Sequence, residues 1–292
     1  MTKLLPDHYA EADFFLANVL NAAPKDDVHS MEHPLFTLSK KPDIQIRRYE
    51  HNGNTLEIQP GLVGMPSIWD KDIIIFLASQ ITEALNRGRS DAKNRRVHFR
   101  AYEYFVATNK EGSGKDYAAL RDGMDKLAAQ RIKTNIATGD GSTRVRENFG
   151  IIDGWRIIEK SATDSKMIAI EVVLSEWLHA AIQSHEVLTL HRDYFRLSGA
   201  IDRRLYELAR KHCGKQPKWT IGLDTLHKKV GSTAPLKRFR ASIKQRVKDN
   251  LLPQYKITYD EERDTLTFTN TDPQVQLRQL GIPYDPHSKK SS

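Results

Sequence analysis

Residues 234–250, APLKRFRASIKQRVKDN, hold six Lys or Arg and one Asp, together with Leu236, Phe239, Ile243 and Val247. At about 100° per residue the four apolar side chains fall within about 80° of one another, so the segment predicts a helix with one core-facing stripe. Lys237, Lys244 and Lys248 gather on one flank of that stripe. Arg238, Ser242 and Gln245 lie on the far side, and Arg246 sits near the opposite edge. Like charges repel, and a solvated helix ordinarily mixes signs. This helix therefore points to negative charge supplied from outside the chain.

The elements around it fix the reading. Upstream, FRLSGAIDRRLYELARKHCG predicts an amphipathic helix with Leu197, Ile201, Leu205 and Leu208 on its stripe, ending at Gly214. KWTIG predicts a short strand, and LDTLHKKVG a short helix closed by Gly231. Pro235 then occupies a favoured first-turn position for the basic helix. Downstream, YKITYD and TLTFTN flank EERD and predict a hairpin. Helix, strand, helix, helix and hairpin is the order of a winged helix-turn-helix, whose third helix enters the major groove.

The same order is read once before. WDKDIIIFLASQITEALNRG predicts a helix stopped by Gly88, and RRVHF a strand. RAYEYFVATN and GSGKDYAALRDGMDKLAAQR predict two more helices. Residues 131–160 alternate, turn at Gly139–Gly141 and alternate again. The expected fold is thus α+β, two winged helix-turn-helix domains in tandem. Residues 1–30 are a polar leader and linker with one helix over 10–21, and NAAPKDD is its linker. Residues 31–183 form the first domain, 184–272 the second, DNA-reading domain, and 273–292 a loose tail. IQIRRYEHNGNTLEIQPG predicts a further hairpin turning at Asn52–Gly53, and KMIAIEVVLSEWLHAAIQ a strand and a linking helix.

Charge supports the assignment. Of a net charge of +8, residues 186–252 alone hold 16 Lys+Arg against 6 Asp+Glu, so the remainder is slightly acidic. Localised basicity is the footprint of a polyanion. The longest apolar run, Ile73 to Ala78, is far short of the ~20 residues a membrane span requires. The N-terminus lacks the pattern of a secretory signal. A single cysteine, Cys213, excludes an intrachain disulfide framework and argues against a zinc site. A cytoplasmic protein with no membrane partner, no metal and no cofactor is expected.

Side chains suited to a groove are Arg, which pairs with guanine O6 and N7, and Gln, which pairs with adenine N6 and N7. Arg238, Ser242 and Gln245 are the expected base contacts, with Lys237, Arg240, Lys244 and Lys248 on phosphates. Arg240 lies near the apolar stripe, where its stem could equally pack and its head snorkel. In the first domain the cations are mixed with acids on the third helix. They gather instead at Arg87, Arg89, Lys93, Arg95, Arg96 and Arg100 and on the expected wing at Lys133, Arg144 and Arg146. Lys133, Arg144 and Arg146 are the expected DNA contacts of the first domain, although a solvated surface explains these cations nearly as well as DNA does.

Catalytic motifs fail. EGSGKD lacks the Gly spacing of a phosphate loop and places Asp116 where a hydroxyl is required. His191 and Tyr194 lie close in sequence, but no His-apolar-His triplet accompanies them, as a strand-nicking enzyme would need. No Gly-x-Ser-x-Gly elbow and no His-Glu-x-x-His occur. The chain is expected not to be an enzyme.

MEHPLFTLSKKPD, GMPSIWDKDIIIFLASQITEALNRG and YFRLSGAIDRRLYELARKHCG resemble the replication initiator protein A family of bacterial plasmids, with the likeness running from about Met31 to Asn270. The resemblance implies binding to repeated origin sites on double-stranded DNA, help in opening the duplex, and recruitment of a host replication initiator or helicase. It also implies possible homodimers that exchange with monomers. A transcriptional repressor of the same fold and a strand-nicking initiator are the alternatives.

Overall fold

The computed structural model describes residues 14–19, 21–51, 53–135, 147–159, 167–273 and 275 of the 292. Two short strands, β1 (Phe15–Leu16) and β2 (Lys25–Asp27), precede a single helical turn, α1 (Val28–Glu32). The helix expected over residues 10–21 is replaced, among its described residues, by β1. Phe15 and Ala17 are buried while Leu16 is exposed, which is a strand's two-residue alternation. Nor is NAAPKDD a linker: β2 pairs with a later strand, and Asp26 and Asp27 are buried.

A hairpin follows, β3 (Arg47–His51) and β4 (Asn54–Gln59), with Gly53 in the left-handed region at φ 74 and Asn52 outside the described residues. Then come α2 (Lys71–Asn86), β5 (Arg96–Phe99), α3 (Ala101–Ala107) and α4 (Gly114–Ala129). Ile73, Ile74, Ile75, Phe76, Leu77 and Ala78 are all buried, so α2 is apolar on nearly every side and forms the centre of the molecule. α4 packs closely against its start. A Cβ on Gly123 would stand 3.0 Å from Asp70 Oδ1 and 3.2 Å from Ile73 Cδ1.

The next strands are β6 (Arg131–Thr134), β7 (Glu147–Phe149), β8 (Ile152–Glu159) and β9 (Met167–Leu174). The hairpin expected over 131–160 is divided differently. β6 and β7 join β3 and β4 in a sheet of order β3-β4-β6-β7, whereas β8 and β9 pack on β5 in the order β1-β5-β9-β8. Alternation shows which face of a strand is buried and leaves its partner open. Ile132 pairs with Ile58 of the first hairpin and with Phe149 of β7, so β6 finds apolar neighbours on both sides. The expected turn at Gly139–Gly141 lies outside the described residues.

The second half begins with α5 (Glu176–Gln183) and β10 (Val187–Thr189), which pairs antiparallel with β2. It continues through α6 (Ala200–His212), β11 (Lys218–Gly222), α7 (Leu223–Val230), α8 (Leu236–Asp249), β12 (Tyr255–Asp260) and β13 (Thr265–Asn270). The sheet order is β11-β13-β12. The first half repeats this arrangement, since β5, β8 and β9 lie in the order β5-β9-β8 beside α2, α3 and α4. Two α+β units therefore share one strand order. No helix among the described residues is long and apolar enough to cross a membrane.

A buried ionic network joins the units. Lys71 on α2 reaches Asp26 at 2.7 Å and Glu207 on α6 at 3.0 Å, with all three side chains fully buried. Arg204 donates to Glu207 at 2.9 Å and to the carbonyls of Ser30, Met31 and Glu32. Tyr194 donates to the other oxygen of Glu207 at 2.7 Å. Burial pushes the Asp26 carboxyl above its ordinary range. Burial also opposes ionisation of Glu207, but Lys71 and Arg204 outweigh it and hold that carboxyl below its ordinary range. Further out, Gly231 (φ 72) closes α7 against Pro34, and its carbonyl accepts from Arg47 at 3.1 Å.

Candidate nucleic-acid interface

α8 starts after Pro235, whose φ of −53° suits a helix entry. It ends at Asn250, which adopts the left-handed conformation at φ 49. The Asn250 side chain accepts from Ile257 N at 3.1 Å and donates to Ile257 O at 3.3 Å. One residue thus caps the helix and ties it to the edge of β12. Phe239 and Ile243 are buried and Leu236 and Val247 partly so, as the periodicity predicts.

The flanks of α8 are occupied by carboxylates. On one side Arg240 makes two hydrogen bonds to Asp264 at the end of the β12–β13 turn, Nε at 3.0 Å and Nη2 at 2.7 Å. Tyr259 donates to the same carboxylate. The Arg240 and Tyr259 hydrogen bonds hold the Asp264 carboxyl down to about 2. One turn along, Lys244 meets Glu261 at 2.8 Å. On the other side Arg246 meets Asp202 of α6 at 3.0 Å and donates to Ser242 Oγ at 2.6 Å.

Between the flanks runs an open stripe of Lys237, Arg238, Ala241, Gln245 and Lys248, all exposed. Among the described residues the side chains of Lys237, Arg238 and Lys248 have no ion pair or hydrogen bond. Gln245 donates to Asp249 at 2.9 Å on its own helix. The expected phosphate contacts thus divide: Lys237 and Lys248 stand free, whereas Arg240 and Lys244 are engaged by the hairpin. The expected base contacts divide too. Arg238 and Gln245 face solvent, and Ser242 is half-buried towards Arg246.

Two cations were not singled out in the sequence. Lys218 on β11 and Lys256 on β12 stand opposite Thr269 of β13, in one row across the outer face of the sheet. The alternation of KWTIG and YKITYD already turns them outward.

Among the described residues the first unit pairs most of its cations internally, with Lys93 and Arg100 exposed. Arg87 pairs with Glu83, Arg89 with Asp91, Arg95 with Asp153, and Arg96 with Glu171. Lys133 is on β6, in the sheet led by β3 and not beside β5, and lies 3.4 Å from Glu57, which also binds Arg48 at 2.6 Å. Arg144 and Arg146 lie outside the described residues. On α4, Lys115 and Arg121 are exposed, while Lys126 pairs with Asp122 at 2.5 Å. Among the described residues no group of three or more His, Cys, Asp or Glu is arranged to hold a metal ion.

The sequence model for replication initiator protein A matches residues 25–257, most of the chain. This chain belongs to the replication initiator protein A family. The family member is 36% identical over 258 residues to a protein of Wigglesworthia glossinidia brevipalpis named "Putative replication protein", covering 88% of this chain and 93% of that one. Its fold is similar to two crystal structures of domains 2 and 3 of RctB. They give TM-scores of 0.57 and 0.54 at 10% and 11% identity, each covering 84% of this chain and 98% of the other. Membership assigns this initiator-family chain to the initiation of DNA replication.

Proposed function

We propose that the chain is a tandem winged-helix initiator that recognises repeated duplex sites at an origin by seating α8 in the major groove. The observation that carries this reading is the open stripe of α8, where Lys237, Arg238 and Lys248 are exposed without counter-ions among the described residues and Ala241 leaves room for close approach. Arg238 and Gln245 are the base readers, and Lys237 and Lys248 hold phosphates. The first unit adds a weaker contact through Lys115 and Arg121 of α4.

Opening of the duplex draws on binding energy spent in deforming DNA, without catalysis by the chain. The opened site then receives a host initiator or helicase, in the cytoplasm, with a homodimer as a second form of the protein. The test is replication of a plasmid that carries this gene and its flanking DNA as the sole initiator system. The expected result is stable maintenance, lost in the Arg238→Ala, Lys248→Ala double variant. Maintenance by that double variant at the unmodified level would remove α8 as the reader.

A further inference from the structure

The turn between β12 and β13 carries Glu261, Glu262 and Asp264, with Asp260 at the end of β12 beside them, against Arg263 alone. A hairpin placed beside a DNA backbone would ordinarily present cations to it, and this one presents repulsion. Its acids are not idle, because two of them reach α8. The two contacts differ in kind. Arg240–Asp264 is bidentate and reinforced by Tyr259, so its geometry is fixed from two elements. Lys244–Glu261 is one contact at 2.8 Å between side chains that remain 40% and 72% exposed, with the Lys244 ammonium 5.5 Å from the centroid of the Tyr259 ring. Such a pair is worth little in water and exchanges readily for another anion.

We propose that Glu261 is a selectivity residue: it occupies Lys244 until a cognate site seats α8 deeply enough for a phosphate to take its place. The inference rests on the DNA-binding reading above. On random DNA, docking is shallow, Lys244 stays with Glu261, and the turn's acids oppose approach. On the cognate site, Lys244 exchanges Glu261 for phosphate, and the extra contact is gained only there. Arg240 keeps Asp264 in both cases and holds the turn at a constant distance from the helix. Glu261 therefore lowers affinity for the wrong DNA more than for the right one, a repulsive route to specificity.

The experiment measures binding of the full chain to two duplexes over a salt series, one of random sequence and one carrying the cognate site selected from the DNA that flanks the gene. Glu261→Gln is expected to tighten binding to the random duplex several-fold and to steepen its log–log salt dependence by about one unit, because Lys244 now releases a counterion there. The cognate duplex is expected to change less, so the specificity ratio falls. Adding Lys244→Ala to Glu261→Gln is expected to return the random-duplex slope to that of the unmodified chain. Equal changes on both duplexes, or an unchanged random-duplex slope, overturn the role of Glu261 while leaving DNA binding intact. Absence of DNA binding by the unmodified chain overturns the underlying reading as well.

Discussion

Arg203 of α6 donates a 2.6 Å hydrogen bond to Asp72 of α2, and neither side chain is appreciably exposed. Asp72 also receives Lys110 at 2.6 Å, so one carboxylate in the first unit neutralises cations from both halves. The leading helices of the two units are thus fixed to each other by charge as well as by apolar packing, and Ile75 of α2 lies in the second unit's core.

Breaking that pair is therefore expected to be costly. Asp72→Ala leaves the Arg203 guanidinium buried without its carboxylate, and about 3–5 kcal/mol of stability is expected to be lost. Urea denaturation followed by tryptophan fluorescence measures it. A loss below about 1 kcal/mol, within the range of an exposed pair, would show that the contact is solvated in solution.

Acid is expected to loosen the seam between the end of α1 and the second unit. Burial pushes the His33 imidazole down to about 4. Glu32 is held well below the ordinary carboxylate range: burial opposes this, and His212, Lys211 and Lys229 prevail. Between about pH 6.5 and about pH 4 the unfolded chain protonates His33 and the folded chain does not, so stability falls as pH falls. The Glu32 contribution, present above its unfolded value of about 4.3, is lost on further acidification. Urea midpoints measured at about pH 7 and about pH 5 are expected to be lower at the acid end, and His33→Gln is expected to flatten the difference.

Replacement of Arg238 by Ala is expected to cost about 1–3 kcal/mol on the cognate duplex and to relax preference at one base position. A panel of duplexes varied one position at a time measures this. Retention of every preference would place Arg238 outside the reading stripe.

Lys248 and Lys244 are expected to behave differently although they lie one helical turn apart. Lys248→Ala removes an unpaired cation, so binding to all sequences weakens and the salt slope falls by about one unit. Lys244→Ala is expected to leave the slope on random DNA unchanged, since Glu261 already neutralises that ammonium. From the sequence alone both lysines read as phosphate contacts, and the hairpin separates them.

That contrast shows what was legible. Phe239 and Ile243 are buried where a 3.6-residue period puts them, and KWTIG, YKITYD and TLTFTN became strands because alternation with β-branched and aromatic residues specifies them. A helical wheel gives the angle of a side chain and says nothing of what stands opposite. Asp264, Glu261 and Asp202 arrive from other elements, so the sequestering of Arg240, Lys244 and Arg246 was hidden. Strand partnership was hidden for a similar reason. Ile132 alternates correctly in either of two sheets, and only the apolar face offered by Leu56 and Ile58 decides between them. Phe15 was misassigned because a two-residue strand is too short to display its period.

The pairing of β2 with β10 has a consequence for how the chain is made. Lys25 on the first of these strands binds Thr189 on the second at 2.7 Å, across 164 positions of sequence. While the ribosome is still working through the first unit, Asp26 and Lys71 have no Glu207 to complete their set, and β2 has an open edge. Contacts of such long range close late and slow folding. A nascent chain halted before residue 187 is therefore expected to attract chaperones and proteases, and a free-standing N-terminal fragment should aggregate unless β10 is supplied in trans as a peptide.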